Sequence, residues 1–155
     1  MKYTEDLSES ERKGMNVVVK TNGNLSDEIL LKGIKKKEIK TGVDNITIYE
    51  LGLFTNSDGS TERIDLFVLH PDSNEGYYPP HIHKKVHNLL YILQGEGIII
   101  LDGVDKTYHL GMKFIVEKGM THGFRPKKRT LILSFETPPI IDPVTNKVDL
   151  EYPLL

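Results

Sequence analysis

Histidine is the residue type with the clearest chemical potential in this sequence. Three of the six histidines, His81, His83 and His87, lie within seven residues, and His122 follows on a later stretch of chain. Side chains two residues apart on a strand point to the same face, so His81 and His83 would present two imidazoles on one side. Two such rings can share a divalent cation, and His122 is the candidate for a third ligand that leaves positions open for water or substrate. A His-x-His pair by itself is also compatible with two surface histidines.

Composition narrows the chemistry further. The sequence contains no cysteine, which excludes disulfide frameworks, thiolate metal sites and cysteine nucleophiles. Its 20 Lys plus Arg and 22 Asp plus Glu give a net charge of -2, which argues against a surface for nucleic acid or for an anionic membrane. The basic runs at 35–37 and 127–129 are exceptions, and each fits either a solvated strand end or a phosphate-binding patch.

Short strands are the elements that would position these histidines. From Gly42 onward, β-rich runs alternate with turn sequences such as Asn56-Ser57-Asp58-Gly59, a spacing typical of an all-β sandwich or barrel. No helix-length periodic segment interrupts them, which argues against a βαβ architecture. Strands are predicted near 46–54, 63–70, 78–84, 89–94, 97–101, 105–110, 113–116 and 129–136.

The order of glycines, prolines and histidines over 76–126 resembles a family pattern. The cupin superfamily carries Gly-x(5)-His-x-His-x(3,4)-Glu-x(6)-Gly, followed by Gly-x(5)-Pro-x-Gly-x(2)-His-x(3)-Asn. The matching residues are Gly76, Pro79, His81, His83, Gly95, Gly97, Gly111, Gly119, His122, Gly123 and Phe124. The resemblance implies a double-stranded β-helix, which is a jelly-roll barrel, with His81, His83 and His122 as metal ligands. It also implies that a homodimer is the expected assembly.

The sequence departs from the cupin pattern at the carboxylate ligand. Counting back from Gly95 places Asn88 where the family has its glutamate. Smaller departures occur at Gly76, Met112, Glu117 and Pro126. Three neutral imidazoles without a carboxylate leave the full charge on a bound divalent ion, which would favour an anionic ligand or lower the pKa of a bound water. The candidate ions are zinc, iron, nickel, copper and manganese.

Four residues near the histidines are predicted to contact a small-molecule ligand: Asn88, His87, Tyr91 and Phe124. The amide of Asn88 could orient a bound molecule or act as a weak metal ligand. By strict alternation His87 faces away from the pocket together with Tyr91, whereas a β-bulge would turn it inward as a fourth ligand. Tyr91 and Phe124 fit either a pocket wall or the core.

The predicted organisation is one barrel with two extensions. We expect an irregular N-terminal arm over 1–24, the cupin barrel over 25–137, and an extended strap over 138–155 on the outside of the barrel or on a neighbouring subunit. Residues 25–31 fit either a short helix or an edge strand. No stretch resembles a signal peptide, and apolar runs such as 98–101 are far too short to span a bilayer, so a cytoplasmic location is expected.

Three function classes fit these observations. The first is an enzyme in which a His-bound metal acts on a small molecule, as in the dioxygenases, isomerases, lyases and decarboxylases among cupins. The second is a protein that binds a sugar or another small ligand without catalysing a reaction. A cupin similar to a sugar isomerase or epimerase is a further alternative. The third is a non-catalytic, oligomerising cupin that keeps the histidines as a structural site. No residue is identified as catalytic at this level.

Overall fold

The computed structural model describes residues 36–41 and 44–154, and this part of the chain is built from ten strands that pair antiparallel. The strands are β1 (Lys36–Lys40), β2 (Asn45–Thr55), β3 (Thr61–Leu69), β4 (Tyr78–His81), β5 (His87–Gln94), β6 (Gly97–Leu101), β7 (Val104–Tyr108), β8 (Lys113–Val116), β9 (His122–Pro126) and β10 (Thr130–Thr137). A short 3-10 turn, Asn74–Gly76, precedes β4. The prediction of an all-β fold is confirmed.

The strands form two sheets with the main core between them. One sheet has six strands in the spatial order β1-β2-β3-β10-β5-β8, and the other has four in the order β4-β9-β6-β7. Leu90 and Ile132 from the larger sheet pack with Ile99 and Phe124 from the smaller one. Because most spatial neighbours are distant in sequence, the chain crosses repeatedly between the sheets, as a jelly roll requires.

Burial on both faces explains why β10 is apolar along most of its length. Ile132 faces the main core, whereas Phe135 packs on the opposite face of the sheet with Tyr91 of β5. A strand covered on both faces needs apolar residues in both registers of the pleat. Ser134 and Glu136 interrupt this pattern, and both are fully buried.

Strand β9 is not among the predicted strands, because glycine and proline disfavour strand interiors. Gly123 is nevertheless required there, since a Cβ would lie 2.7 Å from both the Pro80 nitrogen and the Tyr78 carbonyl oxygen. The missing side chain lets β9 approach β4 closely. Pro126 stands at the last position of the strand. Strand β1 is likewise absent from the predicted set.

The strand predicted over 78–84 ends earlier than expected, at His81. Ile82 instead forms an isolated antiparallel bridge with Glu151, with backbone hydrogen bonds in both directions. A second bridge joins Ile141 to Val148. The C-terminal segment, residues 138–154, therefore lies against the barrel to which it belongs.

Two predictions for the N-terminal part of the chain, the arm over 1–24 and the alternatives at 25–31, lie outside the described residues. Crossing a bilayer would require a longer and more apolar helix than any helical segment among the described residues provides.

We expect Gly123→Ala to lower the free energy of unfolding by about 1–3 kcal/mol, the usual cost of overpacking a filled interior. The added methyl group would push β9 from β4 and weaken the contact between the strands that carry His122 and His81. Urea denaturation measures the stability loss, and a zinc titration should show reduced affinity.

Gly103→Ala is the control for this variant. A Cβ at Gly103 meets no atom within 4 Å, so its cost comes only from a positive φ of 78°. This change should lower stability without altering zinc affinity. A Gly123→Ala protein as stable as wild type would contradict the close approach of the two strands.

Candidate metal centre

Three histidines converge inside the barrel. His81 lies at the end of β4, His122 lies at the start of β9, and His83 comes two residues after β4. His81 and His122 are paired residues of β4 and β9, and their ring centroids are 4.1 Å apart. The His83 ring lies 5.0 Å from that of His81 and 4.9 Å from that of His122. One nitrogen from each ring falls within 4.8 Å of the other two, and all three residues are buried. The predicted convergence is therefore present in the structure.

Backbone carbonyls fix the orientation of two of these rings. The Nδ1–H of His83 donates to the carbonyl of Asp149 at 2.6 Å, and that of His122 donates to the carbonyl of Met120 at 3.2 Å. A proton on Nδ1 leaves a lone pair on Nε2, which is the arrangement usual for metal-binding histidines. The buried Nδ1 of His81 has no hydrogen-bond partner within the part of the chain that the structure describes.

The environment keeps all three imidazoles neutral. Burial lowers the pKa of His122 to about 3, and it also lowers the pKa of His81 and of His83 below the usual range for histidine. Charge on the neighbouring rings lowers the pKa of His81 further, because like charges this close repel. At neutral pH each ring therefore offers a lone pair rather than a second proton, which is the state that binds metal. The donor set fits a divalent ion.

A cavity of about 60 Å³ adjoins the histidines, with room for roughly four to six water molecules. Most of its walls are aliphatic and aromatic side chains from the barrel, including Ile46, Ile48, Phe67, Leu90, Phe124 and Ile132. The C-terminal segment closes part of the cavity with Ile140, Val148 and Leu150. The polar groups on the walls, apart from the Tyr78 hydroxyl, belong to the three histidines, Asn88 and Asp44.

Comparison with known families agrees with this geometry. Residues 66–133, which span β4 to β9 and the flanking parts of β3 and β10, match the family profile described as a cupin domain. This segment is a cupin domain. The resemblance read from the glycine and histidine spacing is thereby confirmed, and the three-histidine group in a cupin indicates a metal ion.

Solved structures of other proteins share the fold. KdgF from Halomonas sp. matches with a TM-score of 0.56 at 15% identity, over 70% of this chain and 91% of that one. An RmlC-like cupin from Shewanella frigidimarina NCIMB 400 matches with a TM-score of 0.53 at 17% identity, over 68% and 86%. Ectoine synthase from P. lautus matches with a TM-score of 0.53 at 18% identity, over 70% and 75%. These likenesses show the double-stranded β-helix fold. No curated protein matches the sequence significantly.

Asn88 and Phe124, two of the predicted ligand contacts, line the cavity. The side chain of Asn88 is held from behind, where its Oδ1 accepts a hydrogen bond from the Ser134 hydroxyl at 2.8 Å. Ser134 in turn lies 3.2 Å from Oε2 of Glu136, the residue that pairs with Asn88 across the sheet. With its oxygen occupied in this way, Asn88 is placed to donate from Nδ2 into the cavity.

His87 and Tyr91 are not brought to the cavity, which corrects their predicted placement. His87 is about half exposed, and its Nδ1 contacts the Glu117 carboxylate at 3.0 Å. Tyr91 packs against Phe135 on the outer face of the larger sheet. The physical reason is regular alternation along β5: no bulge between this strand and β8 turns His87 inward.

Asp149 connects the C-terminal segment to the metal centre. Its carbonyl accepts the hydrogen bond from His83, and its carboxylate accepts backbone N–H bonds from Lys84 at 2.9 Å and Lys85 at 2.8 Å. A group that hydrogen-bonds the ring of a metal ligand fixes its tautomer and its orientation. Asp149 therefore positions His83 and also holds the loop that follows it.

Two buried carboxyl groups, those of Glu136 and Asp65, lie behind Ser134, which holds Asn88. Burial and the charge of Asp65 raise the pKa of Glu136 well above its usual range. Burial also raises the pKa of Asp65, but hydrogen bonds and the charge of Arg63, whose Nε lies 2.9 Å from Oδ2, favour its ionised form. The shared proton therefore resides on Glu136, which donates it to Asp65.

No sequence motif marks these supporting groups. Ser134 and Glu136 had a usable signal, since they are polar residues on the inner face of an otherwise apolar strand. Asp149 and Asp44 had no such signal in the sequence. Both lie outside the cupin motifs, and the sequence does not reveal where their segments lie relative to the barrel.

We expect Asp149→Ala to lower zinc affinity about 10-fold, the lower end of the usual effect of losing a group that orients a metal ligand. The loop after His83 would lose two hydrogen bonds, and the backbone carbonyl that accepts from the His83 ring, which alanine keeps, would be held less firmly in place. Competition with a chelating indicator measures the affinity. Asp142→Ala is the matched control, because its carboxylate also accepts two backbone N–H bonds in this segment but none near the cavity. Equal zinc affinity in the two variants would contradict the role of Asp149.

Replacement of Glu136 by glutamine should change how stability depends on pH. A glutamate whose pKa is raised on folding contributes its full stability below the unfolded value, about pH 4, and loses it as pH rises through the raised value. Glutamine keeps the shape of the neutral form without this loss. The unfolding free energy of Glu136→Gln relative to wild type, measured in urea, should therefore increase as the pH is raised above the unfolded value. If the unfolding free energies of the variant and of wild type changed in parallel with pH, a protonated Glu136 would be ruled out. Glu117→Gln, at an exposed glutamate, serves as the control.

Proposed function

We propose that this protein is a metal-dependent cupin enzyme that binds a divalent ion at His81, His83 and His122 and acts on a small, largely apolar molecule inside the barrel. The observation that carries the proposal is the convergence of three buried, neutral imidazoles on one cavity wall. Two of the rings have Nδ1 tied to a carbonyl, which leaves Nε2 for the ion.

The donor set narrows the choice of metal. Imidazole nitrogens suit zinc, copper, nickel and iron, whereas manganese prefers the carboxylate oxygen that Asn88 does not supply. A bound ion of this kind would act as a Lewis acid towards an oxygen atom of the substrate or towards water. The contribution of Asn88 is to donate a hydrogen bond from Nδ2 to an oxygen atom of the bound molecule.

The walls of the cavity favour an apolar substrate over a sugar. A sugar carries a hydroxyl on most of its carbon atoms, and each one buried without a partner costs free energy. Away from the histidines, the charged or amide side chains on the walls are Asn88 and Asp44, and the remaining surface is mainly hydrocarbon. The sugar-binding alternative is therefore less favoured than a small molecule with one or two oxygen atoms on a hydrocarbon body.

Metal analysis of protein purified without a histidine tag tests this proposal. We expect about one divalent ion per chain in wild type. The ion should be lost in His83→Ala and in His122→Ala, with circular dichroism unchanged, because these side chains line a cavity beside the main core. His87→Ala is the matched control, since this histidine is exposed and should not affect the metal content. Retention of the ion in both cavity variants would contradict the proposed ligands.

Homodimer formation and a cytoplasmic location stay predictions from the sequence.

A further inference from the structure

Asp44, the residue immediately before β2, has a carboxylate in the wall of the metal cavity that no motif marks. It is only 4% exposed. Its Oδ1 accepts hydrogen bonds from the hydroxyls of Thr41 at 2.9 Å and Tyr152 at 2.5 Å. Its Oδ2 is buried and has no hydrogen-bond partner. One oxygen of this carboxylate is thus anchored, while the other lacks any compensating group within the described residues.

An unpartnered carboxylate oxygen in an apolar cavity is costly. A buried charge needs a hydrogen bond or a charge of opposite sign, and otherwise it destabilises the folded protein. The buried Nδ1 of His81, which also lines the cavity, has no hydrogen-bond partner among the described residues, and the three imidazoles offer lone pairs without any positive charge. A cation in this cavity would satisfy both deficits, because the imidazoles supply lone pairs and the carboxylate supplies negative charge.

Contacts with the C-terminal segment place Asp44 beside the histidines. Tyr152, which donates to Asp44, has its ring centroid 5.8 Å from that of His81. Burial and this hydrogen bond raise the pKa of Tyr152, so its hydroxyl stays a donor at neutral pH. Asp44 is also the one aspartate or glutamate among the described residues that line the cavity. It does not belong to the tight group formed by the three histidines, so it faces the ion position from further away.

We propose that Asp44 supplies the carboxylate that the cupin pattern places at position 88, and that it stabilises the bound ion as a charge partner across the cavity. This inference rests on the proposed function, because it requires an ion at the three histidines. It assigns Asp44 as a positioning residue of the metal centre. With Asp44, the charge left uncompensated on a divalent ion falls from two units to one, which suits a monoanionic substrate oxygen.

The variant Asp44→Asn isolates the charge from the anchoring role. Asparagine keeps an oxygen that can accept the hydrogen bonds from Thr41 and Tyr152, and it replaces the unpartnered Oδ2 with a neutral amide group. We expect the zinc affinity of Asp44→Asn to fall about 10- to 100-fold, as for other outer partners of metal ligands. The unfolding midpoint of the metal-free variant should equal or exceed that of metal-free wild type, because a buried unpaired charge has been removed.

Tyr152→Phe is the matched control, since it removes a hydrogen bond to Asp44 but keeps the carboxylate. Because the carboxylate charge is retained, its zinc affinity should fall much less than that of Asp44→Asn. Zinc titration and thermal unfolding with and without zinc are measured for all three proteins.

The outcomes separate the two proposals. Wild-type protein that does not bind zinc through its histidines would overturn the proposed function and this inference with it. Zinc binding by wild type with the same affinity in Asp44→Asn would overturn the inference alone. An Asp44→Asn protein that is destabilised without metal, together with an equal loss of affinity in Tyr152→Phe, would show that Asp44 only anchors the segment and would also overturn it.

Discussion

The close pairing of β4 with β9 is the constraint on which the metal centre depends. It sets His81 directly opposite His122 and brings their rings to within 4.1 Å. The approach is possible because Gly123 carries no side chain where the backbone of Pro80 and Tyr78 lies against it. Three imidazoles can therefore meet in a buried place where burial keeps them neutral, and neutral imidazole is the form that binds a metal ion.

The missing carboxylate at position 88 changes the electrostatics of the whole interior. Asn88 is neutral and is held by Ser134, so it offers hydrogen bonding in place of charge. The carboxyl group of Glu136 lies directly behind this pair but retains its proton, because burial and Asp65 both disfavour a second negative charge. Among the described residues that line the cavity, the carboxyl group belongs instead to Asp44.

The C-terminal segment is part of the site rather than an appendage. It contributes the carbonyl that orients His83, the hydroxyl that anchors Asp44, and apolar side chains that close the cavity. It bridges Ile82, the residue that follows the end of β4 at His81, so the two histidines of the first motif are held by different elements. Stability of this segment and affinity for metal are therefore expected to be coupled.

The sequence by itself determined the all-β class, the cupin family and the three histidines, because strand alternation, turn glycines and ligand spacing are local patterns. Of the predicted ligand contacts, His87 and Tyr91 lie instead on the face opposite Asn88, because alternation along β5 is regular. Only the tertiary structure decided that Asp44 and Asp149 belong to the site, since both come from segments far from the motifs. Their positions follow from packing and long-range hydrogen bonds, which no local spacing encodes.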